Sequence, residues 1–269
     1  MKANQVLWLA LAVGIAAACA TSPLGRTQVM LVGDADMDKM GVEAFEKLKS
    51  EGKVSSDSQV NGYVMCVARS ITSAIDSKQF PNAAGSWEVR VFQDDTANAF
   101  ALPGRKIGVH TGLLKVARNQ DQLATVIGHE VGHVLAKHGA ERVSDAYATE
   151  LATQGAGVLL GAVTSPATQG LAMAALGVAG QGVVLKFSRS QESEADKLGL
   201  DLMAEAGFDP RESVSLWKNM AAASQGQPPE FLSTHPSHET RIADLEQRIP
   251  QDLPIAEQAH KQGRNPNCG

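Results

Sequence analysis

The sequence has 269 residues, of which 43% are hydrophobic and 20% are charged, and its formal net charge is −5 at pH 7. This length suits one domain with a sizeable core, and the composition is that of a globular protein rather than a disordered one. No long basic run occurs, so the charge pattern argues against a nucleic-acid partner.

The N-terminal segment is typical of an export signal. After a basic start, Val6–Ala18 is an apolar run that is too short for a comfortable membrane span. Small residues precede Cys19, as in a bacterial lipobox, where the cysteine is lipidated. We interpret residues 1–19 as a signal peptide with Cys19 as the lipidation site, and residues 20–35 as a linker. An ordinary cleaved signal with an incidental cysteine is the alternative.

The next stretch predicts one helix and a small sheet. Apolar residues recur at helical spacing through Asp57–Ser77. Trp87–Phe92 alternates apolar and polar residues, as a half-buried strand does. Asn98–Gly104 is apolar and ends in a Pro-Gly turn, and Lys106–His110 can return beside it. We expect an antiparallel sheet.

Helices dominate the remainder of the chain. A helix is predicted to begin near Asn119, with Gln122 completing a capping box, and Gly139 can end it. Further helices are predicted over Glu141 to about Leu160, Ser188–Ala206, Pro210–Ala223 and Ser237–Arg248. Residues 155–184 are rich in Gly and Ala and form either a lid hairpin or a closely packed helix pair. Strands followed by helices indicate the α+β class.

One motif carries the chemistry, the H-E-x-x-H sequence His129-Glu130-Val131-Gly132-His133. Four residues turn a helix by about 400°, so both imidazoles lie on one face and can bind one metal ion. Glu130 can take a proton from a water that zinc has made acidic, and Gly132 leaves room beside the metal. We predict one Zn²⁺ per chain; two ordinary surface histidines are the alternative.

A third ligand is needed, and a later acidic helix offers one. A histidine six residues after His133 is absent, because Gly139 stands there. Glu192 and Asp196 are four residues apart on one helical face. Glu192 could bind the metal while Asp196 accepts the N–H of a ligating histidine. A solvated acidic surface explains the same spacing, so both interpretations stay open on spacing alone.

The sequence resembles the M48 family of zinc metallopeptidases, in its bacterial periplasmic or outer-membrane lipoprotein branch. The matching segments, in order, are Asn98–Gly104, Thr111–Leu114, Val126–His133, Phe187–Asp196, Ala206–Pro210, Thr234–Pro236 and Arg241–Ile242. The resemblance implies a mainly helical gluzincin-type domain over residues 36–250, with a small antiparallel sheet beside the active-site helix. Residues 251–269 are then a C-terminal tail.

The resemblance also implies roles for particular residues. Glu192 becomes the third metal ligand, and Asp196 supports a ligating histidine. The segment Asn98, Ala99 and Phe100 lies beside the cleft, where it can pair with an extended substrate. His235 reaches the active site, where it either stabilises the oxyanion or closes the metal's open position. Capping the next helix is the alternative role for His235.

Export also affects the remaining cysteines. Two cysteines in an oxidising compartment favour a Cys66–Cys268 disulfide, with two unpaired thiols as the alternative. The sequence therefore predicts a lipid-anchored zinc endopeptidase on the periplasmic side of the outer membrane. Its substrates are misfolded or unassembled envelope proteins. A latent zinc-binding assembly or holding factor is the second hypothesis, and the sequence indicates no oligomeric state.

Overall fold

The computed structural model describes residues 19–154, 186–223, 230–235 and 240–269. The apolar part of the predicted export signal and the 155–184 segment lie outside the described residues. Within these described ranges, none of the helices combines the length and apolar character that crossing a membrane requires.

The described chain contains five strands and eight helices. The strands are β1 (Cys19–Thr21), β2 (Thr27–Val29), β3 (Glu88–Phe92), β4 (Ala99–Leu102) and β5 (Lys106–His110). The helices are α1 (Asp34–Glu51), α2 (Ser58–Ser73), α3 (Gln120–Leu135), α4 (His138–Gln154), α5 (Arg189–Glu205), α6 (Glu212–Ala223), α7 (Glu230–Thr234) and α8 (Arg241–Lys261). A 3₁₀ turn over Thr111–Lys115 follows β5.

The α+β class is confirmed, but the main sheet is mixed. Its strand order is β3-β5-β4, with β4 antiparallel to β5 and β3 parallel to β5. The expected antiparallel pairing is therefore wrong for β3 and β5. The β4–β5 hairpin returns β5 into the space between β3 and β4, so the first and last strands run in the same direction.

Helix α3 is the central element of the fold. The Asn119 side chain accepts a hydrogen bond from the Gln122 N–H at 2.8 Å and so caps its N-terminus. Nearly every residue of α3 is buried, between the sheet on one side and α5 on the other. The helix ends at Leu135, with Ala136 as its C-cap, rather than at Gly139, because Lys137 takes a left-handed conformation with φ of 56°. Helix α4 then starts in a new direction at His138.

Close packing of α3 on α5 depends on glycines. A Cβ atom on Gly132 would lie 2.7 Å from the Ala195 carbonyl oxygen, and one on Gly199 would lie 2.6 Å from the His129 nitrogen. Gly132 was expected to leave room beside the metal. The room it provides is instead for the backbone of α5. The two helices that carry the predicted ligands are thus held at a separation that any larger residue would change.

The expected linker over residues 20–35 is instead folded onto the body. Strands β1 and β2 pair as an antiparallel hairpin, which we call the N-terminal hairpin (residues 19–29). Its Gln28 side chain is buried and donates to the Ala136 carbonyl at 2.8 Å. Cys19 is exposed at the first position of the hairpin, and its lipidation stays a prediction.

The C-terminal segment is also part of the body. Helix α8 continues through Pro250 and Pro254 to Lys261, well past the predicted end at Arg248. The buried stripe continues across these prolines, and its packing outweighs the backbone hydrogen bonds that they remove. A Cys66–Cys268 disulfide, with the Cα atoms 5.6 Å apart, joins the chain end to α2.

Candidate metal centre

The two histidines of the H-E-x-x-H sequence meet at one point, as their spacing predicts. His129 and His133 are both almost fully buried, and their Nε2 atoms lie 3.0 Å apart. The other ring nitrogen of His129, Nδ1, lies 2.8 Å from Asp196 Oδ1. This contact with a carboxylate directs Nε2 of His129 towards the cluster, which is the supporting role expected of Asp196.

Glu192 and His235 complete a buried four-residue cluster. One ligand atom from each of His129, His133, Glu192 and His235 lies within 4.8 Å of the others. Nδ1 of His235 is 3.2 Å from Nε2 of His129 and 3.0 Å from Oε1 of Glu192. His133 Nε2 is 3.5 Å from the same Glu192 oxygen. The structure thus brings all three predicted ligands together and adds His235.

The cluster fits a zinc ion in both spacing and chemistry. Four ligands placed tetrahedrally about 2.1 Å from zinc lie about 3.4 Å from one another, close to the separations found here. Burial lowers the pKa of His133 well below its ordinary value, which keeps the imidazole neutral as ligation requires. Burial alone would raise the pKa of Glu192, but the nearby His235 and His133 rings lower it, so the carboxylate is ionised.

Glu130 lies beside the cluster and is not one of its four residues. Its Oε2 accepts a hydrogen bond from the Ala101 N–H at 3.3 Å. Its buried Oε1 is 3.3 Å from His235 Nε2, but makes no aligned hydrogen bond within the described residues. Burial raises the pKa of Glu130. Oε1 of Glu130 therefore lies beside the cluster as a proton acceptor without an aligned hydrogen-bond donor in the described part of the chain.

Strand β4 forms one wall of a cavity of about 350 Å³ that opens onto Glu130 and His133. The Asn98 carbonyl accepts from the His110 N–H at 3.0 Å, so the backbone of Asn98 faces β5. In an antiparallel pair, the backbone groups of successive residues face alternate sides. The backbone groups of Phe100 therefore also face β5, and those of Ala99 and Ala101 face the cavity. Of the three predicted substrate-pairing residues, only Ala99 presents its backbone to the open edge.

His235 is held between two aromatic rings. Its ring stacks on Phe231 of α7 at a centroid distance of 4.4 Å and on Phe187 at 4.9 Å. The alternative role as a helix cap is wrong, because the side chain faces the metal cluster and helix α8 has no side-chain cap. His235 therefore lies where it can act as a fourth metal ligand.

Sequence reasoning left Arg241 without a role, although it falls within the family resemblance. Arg241 is 1% exposed, and its guanidinium donates to Glu192 Oε2 at 2.8 Å and to Asp196 Oδ1 at 2.6 Å. Its Cζ lies 3.4 Å from the centre of the Trp217 ring. One arginine from α8 thus holds the predicted third ligand and the residue supporting His129. No periodicity in the sequence points to a contact between helices so far apart in the chain.

His138 is the second side chain that sequence reasoning missed. A residue five positions after His133 would lie about 140° around a continuous helix, and His138 is indeed not one of the four cluster residues. However, Nδ1 of His138 lies 2.9 Å from Nδ1 of His133, and its Nε2 lies 3.2 Å from Glu194. The turn at Lys137 breaks the helix and folds His138 back against His133, which helical geometry could not anticipate.

Comparisons with known proteins agree with this geometry. Residues 59–249 match the model of Peptidase family M48. The chain is 39% identical over 175 residues to the mitochondrial metalloendopeptidase OMA1 of Schizosaccharomyces pombe, covering 61% of this chain and 47% of that protein. It is 34% identical over 252 residues to OMA1 of Danio rerio, covering 87% of this chain and 51% of that protein.

A bacterial relative is also similar. The β-barrel assembly-enhancing protease of Escherichia coli is 30% identical over 227 residues, covering 82% of this chain and 45% of that protein. The chain spans about half the length of each of these relatives. Because mitochondrial and bacterial proteins both match, membership of the bacterial lipoprotein branch stays a prediction. The chain belongs to peptidase family M48, whose members are zinc-dependent metallopeptidases.

Proposed function

We propose that this protein is a zinc endopeptidase in which His129, His133 and Glu192 hold the metal and Glu130 is the base. The observation that carries the proposal is the position of Glu130, which lines the cavity and whose buried Oε1 lies beside the ligand cluster without an aligned hydrogen bond within the described residues. A zinc ion held by these residues supplies Lewis-acid chemistry, which makes water more acidic and polarises a peptide carbonyl.

Glu130 is suited to accept and return a proton. Burial raises the pKa of Glu130 above its ordinary value, which makes its carboxylate a better proton acceptor. The Ala101 N–H fixes Oε2, and this leaves Oε1 to accept the proton of the attacking water. The same oxygen can then pass the proton to the leaving amine.

Substrate orientation follows from the open edge of β4. An extended peptide that adds to this edge would use the backbone groups of Ala99 and the carbonyl of Ala101, and its next peptide bond would pass Glu130, which the Ala101 N–H holds. Extended segments with unpaired backbone groups are common in unfolded proteins and are mostly paired or covered in folded ones. Strand addition therefore favours misfolded or unassembled substrates.

The cell-envelope location is the part of the proposal that rests most on sequence. We place the protein on the periplasmic side of the outer membrane, attached through lipid at Cys19, with unassembled envelope proteins as substrates. The exposed position of Cys19 suits an attachment point, and one relative is a β-barrel assembly-enhancing protease. Labelled fatty acid should enter the protein in cells and fail to enter Cys19→Ser.

The substrate class can be tested with one protein in two states. An outer-membrane β-barrel protein is offered unfolded after dilution from urea, and folded in detergent micelles. We expect cleavage of the unfolded form only, and no cleavage by Glu130→Gln in either case. Equal cleavage of both forms would overturn strand addition as the basis of selection.

One observation favours a second function, that of a latent assembly or holding factor. His235 adds a fourth protein donor to the cluster, and closed four-ligand zinc sites are typical of structural rather than catalytic zinc. In such a protein, the wild type and Glu130→Gln would suppress aggregation of an unfolded client equally, without cutting it. Loss of the client by cleavage in the wild type alone favours the peptidase.

A further inference from the structure

The Nδ1 atoms of His129 and His133, the two histidines of α3, have different hydrogen-bond partners. His129 contacts a carboxylate directly, through Asp196. His133 instead contacts a second imidazole, because its Nδ1 lies 2.9 Å from Nδ1 of His138. Nε2 of His138 lies 3.2 Å from Oε2 of Glu194. His138 is fully buried and Glu194 almost so, and little water competes for these hydrogen bonds.

Ligation fixes the direction of each hydrogen bond in this chain. If Nε2 of His133 binds a metal, its proton is on Nδ1 and is donated to Nδ1 of His138. His138 then carries its own proton on Nε2, which is donated to the Glu194 carboxylate. Both imidazoles are neutral, and each donor meets one acceptor.

Glu194 is in turn held by the N-terminal hairpin. Nε of Arg26 donates to Oε2 of Glu194 at 3.2 Å, and the Leu24 N–H donates to Oε1 at 3.2 Å. The two terminal nitrogens of Arg26 donate to the Glu141 carboxylate of α4 at 2.5 and 2.6 Å. Arg26 therefore ties α4 and α5 together at the point where Glu194 supports His138.

We infer that the N-terminal hairpin positions a ligand of the metal centre. Arg26 holds Glu194, Glu194 holds His138, and His138 orients His133 for zinc. The inference rests on the proposed function, because it takes His133 as a zinc ligand. The hairpin begins at Cys19, so this hydrogen-bonded chain connects the predicted lipidation site to a metal ligand. Weakening the attachment of Arg26 should loosen zinc binding although Arg26 touches no ligand.

Arg26→Met is the informative variant, because Arg26 is partly exposed and its loss should leave the protein folded. The matched control is Ser144→Ala. The Ser144 hydroxyl accepts from the Leu31 N–H at 2.8 Å, so its loss loosens the segment after the hairpin without touching the chain to His133. Arg26→Lys keeps the charge and should recover part of the loss.

The primary measurement is zinc affinity by competition with a chromophoric chelator, on the full chain. We expect Arg26→Met to raise the Kd about tenfold, the lower end for residues that support a metal ligand. Ser144→Ala should change it less than about twofold. The visible spectrum of the cobalt(II) form, which reports ligand geometry, should change in Arg26→Met and stay unaltered in Ser144→Ala.

Each result separates this inference from the proposed function. Wild-type affinity and spectrum in Arg26→Met would overturn the inference and leave the peptidase proposal standing. Equal losses in Arg26→Met and Ser144→Ala would overturn it too, since hairpin docking in general would then be responsible. A wild-type protein that binds no zinc would overturn both.

Discussion

Replacing Gly199 with alanine should disturb the metal centre from a distance, because this glycine sets the separation of α3 and α5. A Cβ atom there would lie 2.6 Å from the backbone nitrogen of His129, whereas ordinary contact begins at 3.4 Å. The helices would have to separate by about 0.8 Å, several times the roughly 0.2 Å tolerance of metal–ligand distances. Helix α3 carries His129, and α5 carries Glu192.

Two opposing effects determine the stability of Gly199→Ala. Overpacking costs about 1–3 kcal/mol, while alanine in a helix gains about 1 kcal/mol over glycine. We therefore expect the metal-free variant to be between equal to and about 2 kcal/mol less stable than the wild type. Zinc affinity should fall by about 10- to 100-fold, because the ligands no longer converge.

Gly62→Ala is the matched control. Gly62 is an exposed helical glycine of α2, and a Cβ there meets no atom within 4 Å. This variant should gain about 0.5–1 kcal/mol and keep its zinc affinity. Urea unfolding of the metal-free proteins and chelator competition provide the two measurements. If Gly199→Ala is stabilised as much as Gly62→Ala and binds zinc as tightly as the wild type, the packing explanation is wrong.

Three further predictions concern other parts of the molecule. His235→Ala should raise basal casein cleavage, because it removes the fourth donor; a loss of cleavage would instead support the oxyanion role. Burial and a hydrogen bond with Asp201 raise the pKa of Asp252 to about 7, so its contribution to stability is present near pH 4 and is lost as the pH rises through 7. Thermal unfolding should show Asp252→Asn becoming more stable relative to the wild type between about pH 5 and about pH 8, and a constant difference in stability would contradict the shift. Replacing both Cys66 and Cys268, 202 residues apart, with serine should lower the free energy of unfolding by up to about 5 kcal/mol, and an unchanged urea midpoint would contradict it.

Local spacing predicted much of the site. Helical periodicity placed His129 and His133 on one face, and the same four-residue spacing placed Glu192 beside Asp196. These predictions needed only the geometry of a single helix. The family resemblance was needed to bring Glu192 to the histidines, because nothing in the spacing of one helix locates another.

The missed features arise from contacts between distant elements. Arg241 reaches Glu192 from α8, and Arg26 reaches Glu194 from the N-terminal hairpin. The contact between His138 and His133 was missed because one residue, Lys137, takes a left-handed conformation and ends α3 early. The parallel β3–β5 pair was missed for a related reason, since strand order depends on how a hairpin returns and not on alternation within each strand.

Zinc content and casein cleavage, measured together on the wild type and Glu130→Gln, test the central proposal most directly. Glu130 is not among the cluster's four residues, so its replacement should leave the ligands in place. We expect one zinc per chain in both proteins and cleavage in the wild type alone. Cleavage that survives in Glu130→Gln would contradict the assigned base, and zinc without cleavage in either protein would contradict the peptidase and favour the holding factor.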